Sequence, residues 1–330
     1  MPEPTIYDVA AAAGVATSTV SRAFSSATRV SPKTRERVLA VAAELGYRPN
    51  PYARALLSGK HHTISMVVSD ITNPHYFELI RGAEQRAKAS EYTLVLVNAE
   101  ESPRIEYEQI QRLLKSVDGF LLAASRLPDE NLRQLAAQRP VVLMNRELPG
   151  VTSVVLDHEH GCRQIVAHLA SLGHEQLLYL AGPRNSWMAA TRWSALQASA
   201  KDLGLQIRRI GPFTPNVSNG GAAADGLLNS GATAAIAHND LLAIGIMQRL
   251  SQRGVRVPED ISVVGFDDIF AAALCTPALT TLGGPHSDVG RAAVELLLSA
   301  VGPIRTESDG AKSTLPTALV LRDSTGQRRS

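Results

Sequence analysis

The spacing of apolar residues changes character along the chain, from helical periods at the start to short β-rich runs separated by amphipathic segments. From Thr5 to Phe24 the sequence reads TIYDVAAAAGVATSTVSRAF. Val9, Ala10 and Ala13 form one helical stripe, Thr5 and Asp8 are spaced as in a capping box, and Gly14 falls where a C-terminal glycine stops a helix. A second helix is predicted from Thr17 to Phe24, with Val20 and Phe24 inward and Ser18, Ser21 and Arg22 sharing the opposite, polar face. Ser31 as N-cap and Pro32 at the first helical position begin a third, which carries Val38, Leu39, Ala42 and Leu45 on one stripe and ends at Gly46. Three such helices make one small headpiece of marginal stability, because so short a segment buries little apolar surface.

Tyr47-Arg48-Pro49-Asn50-Pro51 breaks this pattern with two prolines, and Tyr52 to Leu57 offers fewer than two helical turns. A helix that short folds only against a partner surface, since nucleation is costly. After Lys60, strands alternate with helices, the signature of parallel sheets. Ile64 to Val68, Thr93 to Val97, Gly119 to Ala123, Val141 to Met144 and Ser153 to Leu156 read as buried strands, with helices around Phe77 to Ala89 and Ile105 to Ser116. The alternation restarts after Gly161: helix 161–172, strand Leu177 to Ala181, helix 190–203, a strand near Ile207, helix 220–229, strand Ala234 to Ala237, helix 240–253 and strand Ser262 to Phe266. Two consecutive α/β lobes of about 100 residues each are therefore expected. Paired lobes of this kind hold ligands in the cleft between them, at the carboxyl ends of their strands.

Charge sharpens the division. Residues 1–60 hold eight Lys or Arg against four acids, for +4, and the remaining residues hold 25 against 27, for −2. A basic head on a slightly acidic body is what phosphate binding favours. The polar face of the second helix fits this. Its small hydroxyls let the backbone approach a major-groove floor, and Arg22 can reach a guanine or a phosphate, as in a DNA-binding helix-turn-helix; any small αα-hairpin is the plainer reading of the same pattern.

Other chemistries find little support. No G-x-G-x-x-G opens a helix after a strand, and no nucleophile, base and carboxylate stand together, which argues against a Rossmann-type enzyme and a dinucleotide cofactor. His158-Glu159-His160 lacks the H-E-x-x-H spacing of a zinc site and reads as a solvated helix start. Cys162 and Cys275 are far apart and read as free thiols. Neither a cofactor nor a metal is expected. No apolar run is long enough to span a bilayer, and MPEPTIYD has neither the basic start nor the apolar core of a signal peptide, so a cytoplasmic protein without membrane contact is expected and a secreted sugar-binding protein is disfavoured.

Taken together, T-I-Y-D-V-A-x-x-A-G-V-x-x-x-T-V-S-R, R-V-x-x-x-A-x-x-L-G-Y-R-P-N and A-R-A-L closely resemble the LacI/GalR family of ligand-responsive transcriptional repressors. The similarity continues through Asn73-Pro74, Asp157, Gly161, Leu172-Gly173-His174, Ala181-Gly182-Pro183, Asn239-Asp240, Pro258 to Asp268 and Pro277 to Thr281, and so spans essentially the whole chain. The resemblance implies an all-α helix-turn-helix headpiece (1–48), a hinge helix and linker (49–61), and an α/β periplasmic-binding-protein-like core of two doubly wound parallel-sheet lobes. These lobes are expected at 62–160 plus about 290–320 and at 161–289 plus about 321–330. It further implies a homodimer on palindromic operator DNA, controlled by a small hydroxyl-rich effector such as a sugar, cyclic polyol or nucleoside. A C-terminal tail without a leucine heptad agrees with a dimer.

By position, the resemblance makes Thr17, Ser18 and Arg22 readers of base edges and Leu56 a minor-groove wedge, with Thr5, Ser21, Arg29, Tyr47, Asn50 and Ala53 as further DNA-binding positions. For the effector it marks Arg192 and Asp267, then Asn145, His238 and Asn239 as polar partners, Tyr76, Phe77, Trp187 and Phe213 as lining, and Asp70 as a further candidate. Three positions depart from the family pattern. Ala16 stands where Ser usually caps the recognition helix, His238 replaces a small or apolar residue, and Asn145 occupies a position that is often acidic.

Overall fold

The computed structural model describes residues 4–25, 30–47, 60–301 and 310–328, and they divide into two units at His62. Arg29, Asn50, Ala53 and Leu56, with most of the expected hinge, lie outside the described residues.

The first unit holds α1 (Ile6–Ala13), α2 (Thr17–Ser25) and α3 (Pro32–Leu45). Asp8 accepts from the Thr5 N–H and hydroxyl at 2.7 Å each, which fixes the start of α1 and holds the Asp8 carboxyl below its ordinary range. Gly14, at φ 62°, ends α1 in the left-handed conformation that spares glycine a steric penalty. Val9, Ala13, Val20, Ala23, Val38 and Ala42 form the small core, with Phe24 and Tyr47 packed edge-to-face at 5.9 Å.

The second unit contains two six-stranded sheets. In the first lobe, β1 (Thr63–Val68), β2 (Thr93–Asn98), β3 (Gly119–Ala123), β4 (Val141–Met144), β5 (Ser153–Leu156) and β11 (Lys312–Leu315) lie in the order β11-β5-β4-β3-β1-β2, all parallel. Nearly every residue of β1, β3, β4 and β5 is buried, as in a parallel sheet covered on both faces. One face carries α4 (His75–Ala89) and α11 (His286–Val301), the other α5 (Pro103–Leu113) and α6 (Asp129–Gln138). A Cβ on Gly290 would lie 2.1 Å from the Leu79 carbonyl oxygen, so α4 and α11 approach closely because Gly82 and Gly290 lack side chains.

The second lobe orders its strands β12-β10-β9-β8-β6-β7: β6 (Gln176–Leu180), β7 (Gln206–Ile210), β8 (Ala234–Ala237), β9 (Ser262–Phe266), β10 (Thr280–Gly283) and β12 (Ala318–Val320). Its helices are α7 (His158–Ser171), α8 (Trp187–Asp202), α9 (Gly220–Leu228) and α10 (Asp240–Gln252). The chain passes between lobes after β5, after β10 and between β11 and β12. Residues 318–320, expected with the first lobe, pair antiparallel with β10 of the second, and α11 begins at His286, ahead of the expected boundary near 290. The passages are knitted together, since Asp157 donates to the Leu315 carbonyl and Thr317 Oγ1 donates to the Asp157 carbonyl at 2.8 Å.

Candidate functional site

The carboxyl ends of the parallel strands from both lobes converge on one cleft, as the fold's topology dictates. The free space left in it is about 40 Å³, well below the roughly 300–1,000 Å³ of small-molecule sites. Glu101 follows β2, Ala124 and Arg126 follow β3, Asn145 follows β4, His238 and Asn239 follow β8, and Asp267 follows β9. Glu101, Ala124, Asn145 and Asp267 all have positive φ, at 54°, 52°, 55° and 106°. Non-glycine residues held there are strained, and such strain gathers at binding sites.

Arg192 is the centre of the second lobe's wall. Its Nη2 donates to Asp267 Oδ1 at 3.0 Å, its Nη1 donates to the His238 carbonyl, and its guanidinium lies 4.2 Å over the Phe266 ring. Both Arg192 and Asp267 are buried, while Arg192 Nε has no partner. Asp267 is also approached from the other lobe, by His75 Nδ1 at 3.7 Å from the same carboxylate oxygen. Asn145 Nδ2 lies 3.2 Å from His75 Nε2, which makes that nitrogen the acceptor and leaves Nδ1–H directed at the carboxylate. Burial drives the His75 pKa down to about 4, against the attraction of Asp267. His238 and His158 are held well below the ordinary value by burial as well. The cleft is therefore lined by two arginines, two carboxylates and neutral imidazoles, with no net charge.

The first lobe's wall is a relay. Tyr76 O–H donates to Ser69 Oγ at 2.7 Å, Ser69 donates to Glu101 Oε1 at 2.9 Å, and Arg126 Nε donates to Glu101 Oε2 at 2.6 Å. Glu106, buried and raised in pKa by desolvation, accepts from the Arg126 backbone N–H. Arg146 donates to the Ser125 and Leu127 carbonyls on either side and thus fastens the loop that carries Arg126.

Of the residues proposed from sequence, Tyr76, Asn145, Arg192, His238, Asn239 and Asp267 line this cleft. Asn239 is committed locally: Oδ1 caps α10 through Leu242 N–H, and Nδ2 donates to the Pro215 carbonyl. His238 Nδ1 meets the Tyr179 hydroxyl at 3.1 Å. Asp70, Phe77, Trp187 and Phe213 are not among the lining residues. Asp70 accepts from Thr72 N and Oγ1 in its own turn, Phe77 is half exposed, Trp187 opens α8 half-buried, and Phe213 packs on the second lobe's core. Sequence reasoning missed Asn73, His75, Glu101, Arg126, Ser186 and Met188. His158 is buried against Phe266 while Glu159 and His160 face solvent, so that tripeptide is split between two environments.

In the headpiece, Ser18 and Arg22 are exposed on α2, with Thr17 and Ser21 half-buried. Thr5 caps α1, and Tyr47 packs on Phe24. Ala16 occupies the cap position of α2, where its carbonyl accepts from Thr19 and Val20 and its methyl offers no acceptor.

A helix-turn-helix headpiece joined in one chain to a two-lobed, ligand-cleft core defines a ligand-responsive DNA-binding regulator. Comparison with known proteins agrees. Residues 5–50 match the family described as bacterial regulatory proteins, lacI family, and residues 166–325 match a periplasmic binding protein-like domain. The repressor CytR of Escherichia coli is 32% identical, over 97% of this chain and 96% of its own. The crystal structure of the lac repressor dimer bound to operator and an anti-inducer superposes with a TM-score of 0.87 at 30% identity, covering 98% of this chain and 100% of that one. A LacI family regulator from Enterococcus faecium with bound ribose gives 0.70 at 28% identity, over 81% and 100%. The chain belongs to the lacI family of bacterial regulatory proteins. Among its described residues no helix is long and apolar enough to cross a membrane.

Proposed function

We propose that the chain is a homodimeric transcriptional repressor that binds palindromic operator DNA in the cytoplasm through α2 and responds to a neutral, hydroxyl-rich metabolite held between its lobes; it regulates and does not turn its ligand over. The observation that carries this reading is the polar cleft of balanced charge, in which Arg192 and Asp267 offer a donor and an acceptor side by side. A related repressor crystallised as a dimer on operator supports the assembly, and a ribose-bound relative supports the effector class. Phe270, opening a 3₁₀ turn of the second lobe, and Leu274 just after that turn are exposed and supply apolar surface of the kind an interface covers. Effector and operator are coupled only insofar as each prefers one arrangement of the lobes.

The test is fluorescence anisotropy of the purified full chain on DNA from upstream of its own gene and on scrambled DNA of equal length. Tighter binding to the former, weakening steeply with salt, is expected. Equal affinity for both DNAs would overturn the reading.

A further inference from the structure

We propose that the second lobe carries a separate site for a phosphate monoester of a small metabolite, in the cavity between the turn after β6, the end of β7 and the first turn of α8, with Arg184 and Arg209 holding the phosphate. This site is independent of the effector reading above.

The cavity holds about 520 Å³ of free space, a size within the roughly 300–1,000 Å³ of small-molecule sites, whereas the interlobe cleft is nearly filled by its own side chains. Residues 181–184 and 209–212, with Ala189 and Ala190, line it. The two spaces have no lining residue in common, yet they share a wall. Along that wall Ser186 and Met188 line the cleft while Ala189 and Ala190 line the cavity. Gly182 of the cavity lies so close to His238 of the cleft that a Cβ would stand 2.5 Å from the imidazole.

Charge selects the ligand. Most arginines of the two lobes reach a carboxylate, as Arg126, Arg146 and Arg192 do. Arg184 and Arg209 are both exposed, and among the described residues neither has a hydrogen-bond acceptor or an ion-pair partner. No acidic residue lines the cavity. Two unpaired cations on one concave surface, in a body that otherwise carries a slight negative charge, raise the local potential for an anion. Arg209 is also held in place, since its guanidinium lies 5.0 Å over the Trp193 ring and that indole stacks on Tyr179 at 6.1 Å. A guanidinium laid flat on an indole keeps its N–H edge for an acceptor. The neighbouring Arg208 points to the other face of β7 and donates to the Ser230 carbonyl.

Two forks on separate loops suit a tetrahedral anion better than a planar one. A carboxylate has two oxygens and is satisfied by a single arginine, whereas a phosphate monoester has three free oxygens and nearly two negative charges for both. Pro183, Ile210 and Pro212 give the carbon body of the ester an apolar wall.

Fluorescence titration of the full-length Trp187→Phe chain, in which Trp193 is the single tryptophan, tests the assignment with ribose 5-phosphate, 5′-AMP, inorganic phosphate and gluconate, beside D-ribose and adenosine. A saturable change in Trp193 emission is expected with a phosphate ester, at an affinity at least about tenfold above that of its phosphate-free counterpart. Arg184→Gln should weaken ester binding by roughly 10- to 100-fold, the span of a lost hydrogen bond to a charged group. Arg209→Gln should do the same by isothermal titration, which avoids the altered contact with the reporter. Arg112→Gln removes the same charge from an exposed position on α5 and should change affinity by no more than about twofold. Equal binding of gluconate or of the phosphate-free compounds overturns the phosphate class. Equal affinities of Arg184→Gln and Arg112→Gln overturn the location, and the lack of any saturable response to the phosphate compounds at millimolar concentration overturns the site. Non-specific duplex DNA offers phosphodiesters instead, and a loss of DNA affinity in Arg184→Gln equal to its loss of ester affinity overturns the small-molecule source. None of these outcomes bears on the effector-cleft reading, which the operator titrations test.

Discussion

Arg192 Nη2 and Asp267 Oδ1 lie 3.0 Å apart with both side chains buried, and His75 of the opposite lobe stands 3.7 Å from the same oxygen. One carboxylate thus faces a cation on its own lobe and an imidazole on the other. Under the proposed function, a ligand hydroxyl reaching that oxygen would compete with His75 and so couple ligand contact to the contact between lobes.

Breaking this pair from one side leaves a buried charge without its partner. Asp267→Asn or Arg192→Met is expected to destabilise the core by about 3–5 kcal/mol, and the double variant by clearly less than the sum of the two. Urea denaturation of the three variants measures this. Additive losses would show that the pair is not an energetic unit.

Acid should loosen the core through its buried histidines. His75 titrates at about 4 when folded and near 6.5 when unfolded. Between those values the unfolded chain binds a proton that the folded chain does not, so stability is full above 6.5 and falls on acidification, by up to about 1.4 kcal/mol per pH unit from this residue. His158 and His238, also depressed by burial, act in the same direction. Replacing His75 with Gln should make the fall between pH 6.5 and 4 shallower; an unchanged slope would show that His75 is not held neutral.

Two glycines in helices should respond in opposite ways to alanine. Gly290→Ala places a methyl 2.1 Å from the Leu79 carbonyl oxygen and is expected to cost about 1–3 kcal/mol by forcing α4 and α11 apart. A Cβ on Gly221 in α9 meets nothing within 4 Å, so Gly221→Ala should be neutral or stabilising by up to about 1 kcal/mol. Thermal melts distinguish the two, and equal losses would contradict the packing described.

Restoring the missing cap should strengthen the recognition helix. Ala16→Ser provides an acceptor at the start of α2 and is expected to stabilise the headpiece by about 1 kcal/mol. Hydrogen exchange in the full chain should then slow at the α2 amides. Unaltered exchange would indicate that the start of α2 is satisfied in some other way.

The headpiece was legible in the sequence because capping residues, glycine stops and the apolar stripe of α1 and α3 are local signals. The alternation of strands and helices up to β9 was legible for the same reason. The crossover elements were not: β11 and β12 are short, KSTL and ALV carry no run of buried residues, and the partner of β11 lies more than a hundred positions upstream in β5, while β12 pairs antiparallel with β10. Arg192 and Asp267 came from family position, not from pattern, and the structure joins them. Glu101 and Arg126 were invisible because their pairing depends on two separate loops meeting at the cleft, and His75 because only Asp267, in the other lobe, gives it meaning. Of the aromatic positions Tyr76, Phe77, Trp187 and Phe213, Tyr76 lines the cleft, and the other three were assigned by family position alone.

Under the proposed function, occupancy of this cleft controls the headpiece's grip on DNA. Operator anisotropy should be titrated with wild type and Arg192→Met, each with and without the strongest-binding neutral compound at saturating concentration. Wild type should show at least about a fivefold change in operator affinity on adding the compound, and Arg192→Met should show none. Identical operator affinity for wild type with and without bound compound would contradict the account.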